Sequence, residues 1–207
     1  MRYGLPYKGS KNQIARWIID KLPPAVTFID LFFGGGAITH AALLSGKYKN
    51  FIANDIDGRL IPLFMDCCFG KYTLENHTEW ISREEFFKRK DDDAYIALVW
   101  SFGNNGKDYL YAKDLEPFKR AFHWAVFYHD LRPMTEQGIT LKDTDETDIY
   151  ERYLWFMHQL KDLKTNSQCE NLTRAIEIER LQSLQSLQSL HGDYQSVKIP
   201  SGGGTLL

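Results

Sequence analysis

The chain has few features of the kind that announce a function. In its 207 residues no apolar run approaches the roughly 18–20 residues that cross a bilayer. The N-terminal stretch "MRYGLPYKGSKNQIARW" has no apolar signal core, so export is not expected and a cytoplasmic location is. Cysteine is scarce. Cys67 and Cys68 are adjacent and Cys169 is distant, which matches neither a disulfide framework nor a zinc spacing. All three are therefore read as small buried hydrophobes in a reducing compartment. Positive charge is not in excess either: 25 Lys and Arg stand against 27 Asp and Glu, a formal charge of −2. Residues 1–70 carry 8 basic against 5 acidic residues and the remainder 17 against 22, so neither part is a basic footprint for phosphates. Any nucleic-acid contact has to come from a local patch.

What is present is an ordinary globular composition, 43% hydrophobic and 25% charged, long enough for one sizeable domain with an insertion. Ser10 is placed to cap a helix over "KNQIARWIIDKL", with Ile14, Trp17, Ile18 and Leu22 on one face and Pro23–Pro24 ending it. "AVTFIDLF" reads as a buried parallel strand, and "GAITHAALLSG" as a helix closed by Gly46. "KNFIANDID" reads as a second strand, and "GRLIPLFMDCCFG" as a helix tolerating Pro62 in its first turn. This alternation opens a doubly wound α/β domain.

From about residue 71 the strands stop. "SREEFFKRKDDDAYIALVW" reads as a helix start, a charged stretch and another apolar helix, "SFGNNGKDYLYAKD" as a loop or short hairpin, and "LEPFKRAFHWAVFYHDL", "TDIYERYLWFMHQLKDL" and "CENLTRAIEIERL" as helices. We therefore expect an N-terminal α/β part over 1–70, a mainly helical region over 71–190 and a return toward the α/β core over 191–207. In "LQSLQSLQSL" the leucines recur every three residues, so on a helix the stripe slips by about 60° per repeat. That fits a helix touching two surfaces, a 3₁₀ stretch or a loosely packed connector, and the helical connector is the reading favoured.

The chemistry concentrates in "FIDLFFGGGAITHAAL". A strand ending in an acid, a glycine turn and a helix together make a site at the carboxyl edge of a parallel sheet. Glycines allow close backbone approach, and the helix N-terminus offers unpaired N–H groups. Asp55, about 20 residues further on at the end of the next strand, is placed to accept hydrogen bonds from both hydroxyls of a ribose. The dinucleotide pattern G-x-G-x-x-G is not met, because Gly34 and Gly36 fit but position 39 is Thr. No Walker lysine follows. An adenosyl ligand without a pyrophosphate fits this turn better than a dinucleotide or a nucleoside triphosphate.

"YKGSKNQIARWIIDKLP", "FIDLFFGGGAITHAAL" and "NDIDGRLIPLF", in that order over residues 3–65, resemble the N-terminal motifs of the Dam-like adenine-specific DNA methyltransferases. The resemblance implies a Rossmann-like S-adenosylmethionine-dependent core with a mainly helical insertion. It also implies S-adenosylmethionine as cofactor, double-stranded DNA with an adenine target as partner, and a bacterial or phage source. By resemblance, Tyr7 packs against the cofactor and Lys11 reaches its polar end. Phe33, Gly34 and Gly36 form the turn against its amino-acid moiety, Asp55 holds the ribose and Ile56 lines the adenine slot. Asp30 and Asp57 rank below Asp55. The helical region corresponds to the family's target-recognition part, in which Asn104, Asn105, Lys107 and Tyr109 or Tyr111 are candidate DNA contacts, against the plain reading of a turn with core aromatics.

Relatives carry a D-P-P-Y segment that accepts the adenine amine and stacks on the base. These 207 residues contain none, and "DYQSVKIPSGGGTLL" runs to the end where such a strand is expected. The expectation is an incomplete core without catalytic residues, inactive in methyl transfer and prone to self-association through an incomplete sheet edge. Two other readings remain open: a non-catalytic module that binds an adenosyl ligand or DNA, and a small-molecule methyltransferase sharing only the fold.

Overall fold

The computed structural model describes residues 2–160, 168–177, 186–200 and 204–206. The chain forms two compact units, one of Met1–Lys71 with Arg174–Leu207 and the other of Tyr72–Thr173. The return to the first unit thus begins near residue 174, ahead of the expected 191.

The first unit is an α/β layer. Helix α1 (Ala15–Lys21), strand β1 (Thr27–Asp30), helix α2 (Ala37–Ser45), strand β2 (Asn50–Asp55) and helix α3 (Leu60–Cys68) follow in order. After the second unit come strands β3 (Leu187–His191) and β4 (Thr205–Leu206). The sheet runs β3-β2-β1-β4 with every pairing parallel. Apolar strands such as "TFID", buried at every position, suit such a covered sheet. Its core is built on Phe28, Ile29, Phe51 and Phe64, none more than 1% exposed.

Register places the site. Thr27 to Asp30 pair with Asn50 to Ala53, so β2 runs two residues beyond β1. Those two, Asn54 and Asp55, pair instead with Leu190 and His191 of β3. The Asp55 carboxylate is thereby lifted above the turn that follows β1.

Two expectations for the N-terminal helix are corrected. Ser10 does not cap it: its hydroxyl accepts from the Asn12 amide in a preceding turn, and α1 starts only at Ala15. The buried face carries Ala15 and Ile19, while Ile14 and Trp17 are 45% and 63% exposed. Period 3.6 admits two stripes here, and the small Ala15 lets α1 lie close to α2 where Trp17 would not.

The favoured helical connector is also corrected. Residues 181–185 of the leucine repeat lie outside the described residues, and Leu187–His191 is an edge strand. A three-residue period satisfies neither helix nor strand, so the ladder to β2 decides the conformation: Leu187 is buried, and Gln188 and Ser189 face water.

The second unit is helical: α4 (Arg83–Arg89), α5 (Ala94–Val99), α6 (Glu116–Tyr128), the short α7 (Arg132–Glu136), α8 (Ile149–Gln159) and α9 (Gln168–Ile176), which runs into the first unit. Among the described residues three start at a side-chain cap: Ser82 accepts from the Glu85 amide, Asp93 from Ile96, and Asp148 from Tyr150 and Glu151. The segment expected to be a loop or short hairpin is a loop closed by one antiparallel bridge, Ser101 to Tyr109. Cys67, Cys68 and Cys169 are all buried thiols, and burial pushes each up to about 12. No described helix is long and apolar enough to cross a membrane.

Candidate functional site

Helix α2 is buried along nearly its whole length, Ala37 to Leu43, so its polar side chains need internal partners. Thr39 and one ring nitrogen of His40 find them, while His40 Nε2 has none among the described residues, and these bonds assemble the site. The Thr39 hydroxyl donates to Asp30 at 2.7 Å. His40 Nδ1 accepts from the Gly4 amide at 3.0 Å, and the Leu5 amide donates to the Gly35 carbonyl at 2.7 Å. These bonds tie the N-terminal segment to the glycine turn and place the Tyr7 ring over it.

The three glycines serve different ends. Gly36, at φ +73°, is the left-handed entry to α2, and a Cβ there would fall on the Phe33 ring. A Cβ on Gly35 would lie 2.6 Å from Tyr7 Cβ. The bareness at 35 and 36 is therefore a demand of the protein's own packing. Gly34 is the one whose amide points to functional chemistry: it donates to Asp55 Oδ2 at 2.7 Å. The other oxygen, Oδ1, accepts from the Asp57 amide at 2.9 Å. A carboxylate has about four lone-pair sites, so two remain for a ligand.

Around this bond lies a recess of about 410 Å³, within the range of small-molecule sites. Tyr7, Lys11, Asp30, Phe33, Gly34 and Asp55 line it. Five of the seven residues expected from sequence are thus brought together. Gly36 does not line it, and Ile56, 80% exposed at the end of β2, stands outside. The Lys11 ammonium rests on the Gly9 carbonyl at 2.9 Å. Phe33 is buried edge-on against Phe64 at 5.3 Å.

Asp30 contributes more than its rank in the sequence suggested. It is 3% exposed, and burial pushes its carboxyl up to about 6 against the hydrogen bonds from Thr39 and the Phe32 amide. Asn54 had no sequence role at all. Its side-chain amide donates to the carbonyls of Leu31 at 3.2 Å and Gly192 at 3.1 Å, stapling the ends of three strands. A lone amide side chain in the apolar strand "FIAND" was the available signal. Nor did sequence reasoning place Tyr194 here, because the leucine repeat hid the strand before it. Its ring lies 5.1 Å from that of Phe32, and both are exposed, 45% and 67%.

In the helical unit the candidate DNA contacts separate. Asn104 is buried and donates to the Leu98 carbonyl, and Tyr109 is buried with its hydroxyl on the Ile81 carbonyl. Lys107 is exposed, and Asn105 is spent on the turn, accepting from the amides of Lys107 and Asp108. Tyr111 is buried as well.

A family model described as D12 class N6 adenine-specific DNA methyltransferase matches residues 7–166. No curated protein matches the chain.

Proposed function

The chain belongs to the D12 class of N6 adenine-specific DNA methyltransferases, and from that premise we propose that its α/β unit holds S-adenosylmethionine in the recess between Tyr7, Gly34 and Asp55. The observation that carries this reading is the Asp55 carboxylate, fixed by the Gly34 amide and still able to accept from the two hydroxyls of a ribose. The donor set fits the rest of the molecule. Asp30 faces the recess with an oxygen for an ammonium, Lys11 supplies a cation for a carboxylate, and the Tyr7 ring covers the apolar middle. Phe32 and Tyr194 offer exposed rings to the adenine.

When bound, S-adenosylmethionine supplies an electrophilic methyl group on a sulfonium. What these residues do is hold the cofactor's ends, so that the methyl is presented at one place. The adenine amine is a poor nucleophile, because its lone pair is delocalised into the ring. Aligning it calls for hydrogen-bond acceptors and a stacking ring around a flipped-out base. These 207 residues contain no D-P-P-Y segment to do so. We therefore propose that they bind cofactor and contact DNA, with Lys107 as the exposed cation of the "SFGNNGKDYLY" loop, and do not by themselves transfer the methyl.

Equilibrium dialysis with S-[methyl-³H]adenosylmethionine, followed by incubation with adenine-containing duplex, tests both parts. The expected result is retention of label by the protein, competed away by S-adenosylhomocysteine, with none passing to DNA. Label on the DNA would refute the second part, and no retention would refute the first.

A further inference from the structure

His191 ends strand β3 in register with Asp55 at the end of β2, and it does not line the recess. The backbone that follows it is fixed on the β2 side. The Gly192 amide donates to the Asp55 carbonyl at 3.1 Å, and the Gly192 carbonyl accepts from the Asn54 side chain at 3.1 Å.

From this anchored position the His191 ring reaches the loop after β2. Its Nε2 lies 2.9 Å from the Ile56 carbonyl oxygen. A carbonyl only accepts, so Nε2 carries the proton and donates it. Gly58 makes room for the ring: a Cβ there would fall 2.8 Å from His191 Cγ. The backbone at Gly58 is not left-handed, so the approach of this ring, rather than a turn, is what calls for a bare residue.

The carbonyl that His191 engages belongs to the peptide unit whose other end holds the Asp55 carboxylate. The Ile56 C=O and the Asp57 N–H lie in one planar amide. The C=O accepts from His191, and the N–H donates to Asp55 Oδ1 at 2.9 Å. Fixing the carbonyl fixes the plane, and with it the direction in which the N–H points. A bond accepted at the amide oxygen also polarises the amide and strengthens the bond donated from its nitrogen. The Gly34 amide grips the other carboxylate oxygen, Oδ2, at 2.7 Å. One donor leaves a carboxylate free to swing. A donor on each oxygen sets its plane, and so the direction of the lone pairs left for a ligand.

We propose that His191 is a positioning residue for the ribose of the cofactor: through the Ile56–Asp57 peptide it sets the orientation in which Asp55 accepts the two hydroxyls. The inference rests on the reading of the Tyr7–Gly34–Asp55 recess as a S-adenosylmethionine site, and it adds a residue that acts on that site from outside it.

Two variants of the whole chain separate the donated proton from the bulk of the ring. H191F keeps a ring against Gly58 and donates nothing, whereas H191Q retains a side-chain N–H for the Ile56 carbonyl. The side chain replaced is exposed, so both variants are expected to fold, as circular dichroism verifies. Amide hydrogen exchange without ligand and calorimetric titration with S-adenosylmethionine are read on the same samples. The expected result is faster exchange at the Asp57 amide in H191F and cofactor binding about fivefold weaker, with both recovering toward wild type in H191Q. Loss of packing alone would not be rescued by a donor. An Asp57 amide that exchanges alike in wild type and H191F overturns the proposal. So does measurable binding of equal strength in those two proteins, or a loss as large in H191Q as in H191F. No binding to wild type, together with the exchange response, ends the cofactor reading and leaves His191 as the residue that orients the Asp55 carboxylate.

Discussion

Asp55 and Gly34, 21 residues apart, are joined by a hydrogen bond of 2.7 Å from the glycine amide to the carboxylate. It joins the ends of β1 and β2 at the recess, beside the bond from the Phe33 amide to the Asn54 carbonyl at 2.9 Å. The bond exists because β2 outruns β1 by two residues, and the bare Gly34, at φ +52°, lets the Tyr7 ring lie against the same turn.

The glycine turn is a stability element before it is a ligand element. Gly36→Ala introduces a Cβ onto the Phe33 ring at a left-handed φ, so strain and overpacking add. We expect a loss of roughly 2–4 kcal/mol, read from the urea midpoint. An alanine variant as stable as wild type would show that the turn has room that the structure denies it.

Asn54 is expected to matter as much as residues that face the recess. Asn54→Ala leaves the Leu31 and Gly192 carbonyls without their amide partner in a buried position, a loss of roughly 2–3 kcal/mol. Amide hydrogen exchange should then quicken at Phe33, whose N–H is held by the Asn54 carbonyl at 2.9 Å. Unchanged exchange there would mean that the three strand ends are held by something else.

Acid should act differently on the two units. Burial lowers His40 in the α/β unit and His123 in the helical unit to about 4. Both lie below the usual imidazole value, so the unfolded chain takes up the proton first. Each therefore removes about 3 kcal/mol as pH falls from 6.5 to 4. Asp30 has the opposite sign. Its carboxyl is raised to about 6, the folded chain holds the proton first, and about 3 kcal/mol is regained between pH 6 and 4. His40 and Asp30 share the α/β unit and nearly cancel, whereas among the described residues of the helical unit no carboxyl is raised in the same way to offset His123. Hydrogen exchange between pH 7 and 4.5 should show the helical unit loosening first. Asp30→Asn should make the α/β unit follow it. Equal acid sensitivity of the two units in the wild type would contradict this assignment.

The α/β opening was legible because its signals are local. A buried apolar strand, a glycine turn and an acid one strand later each follow from a few adjacent residues. What misled was periodicity without a partner in view. Three-residue spacing hid β3, which is a strand because β2 offers it an edge, and an ambiguous apolar stripe put Trp17 on the wrong face of α1. Asp30, Asn54 and Tyr194 entered the site for the same reason. Their neighbours Thr39, Gly192 and Phe32 are distant in sequence and meet only once the sheet is assembled.

Calorimetric titration of S-adenosylmethionine into wild type, D55A and D57A tests the central claim most directly. Asp57 is engaged by its own neighbour Arg59 at 2.6 Å and does not line the recess, so it serves as the control acid. The account predicts micromolar binding that persists in D57A and is lost in D55A while the variant stays folded. Binding of equal strength in all three proteins, or none to the folded wild type, would contradict it.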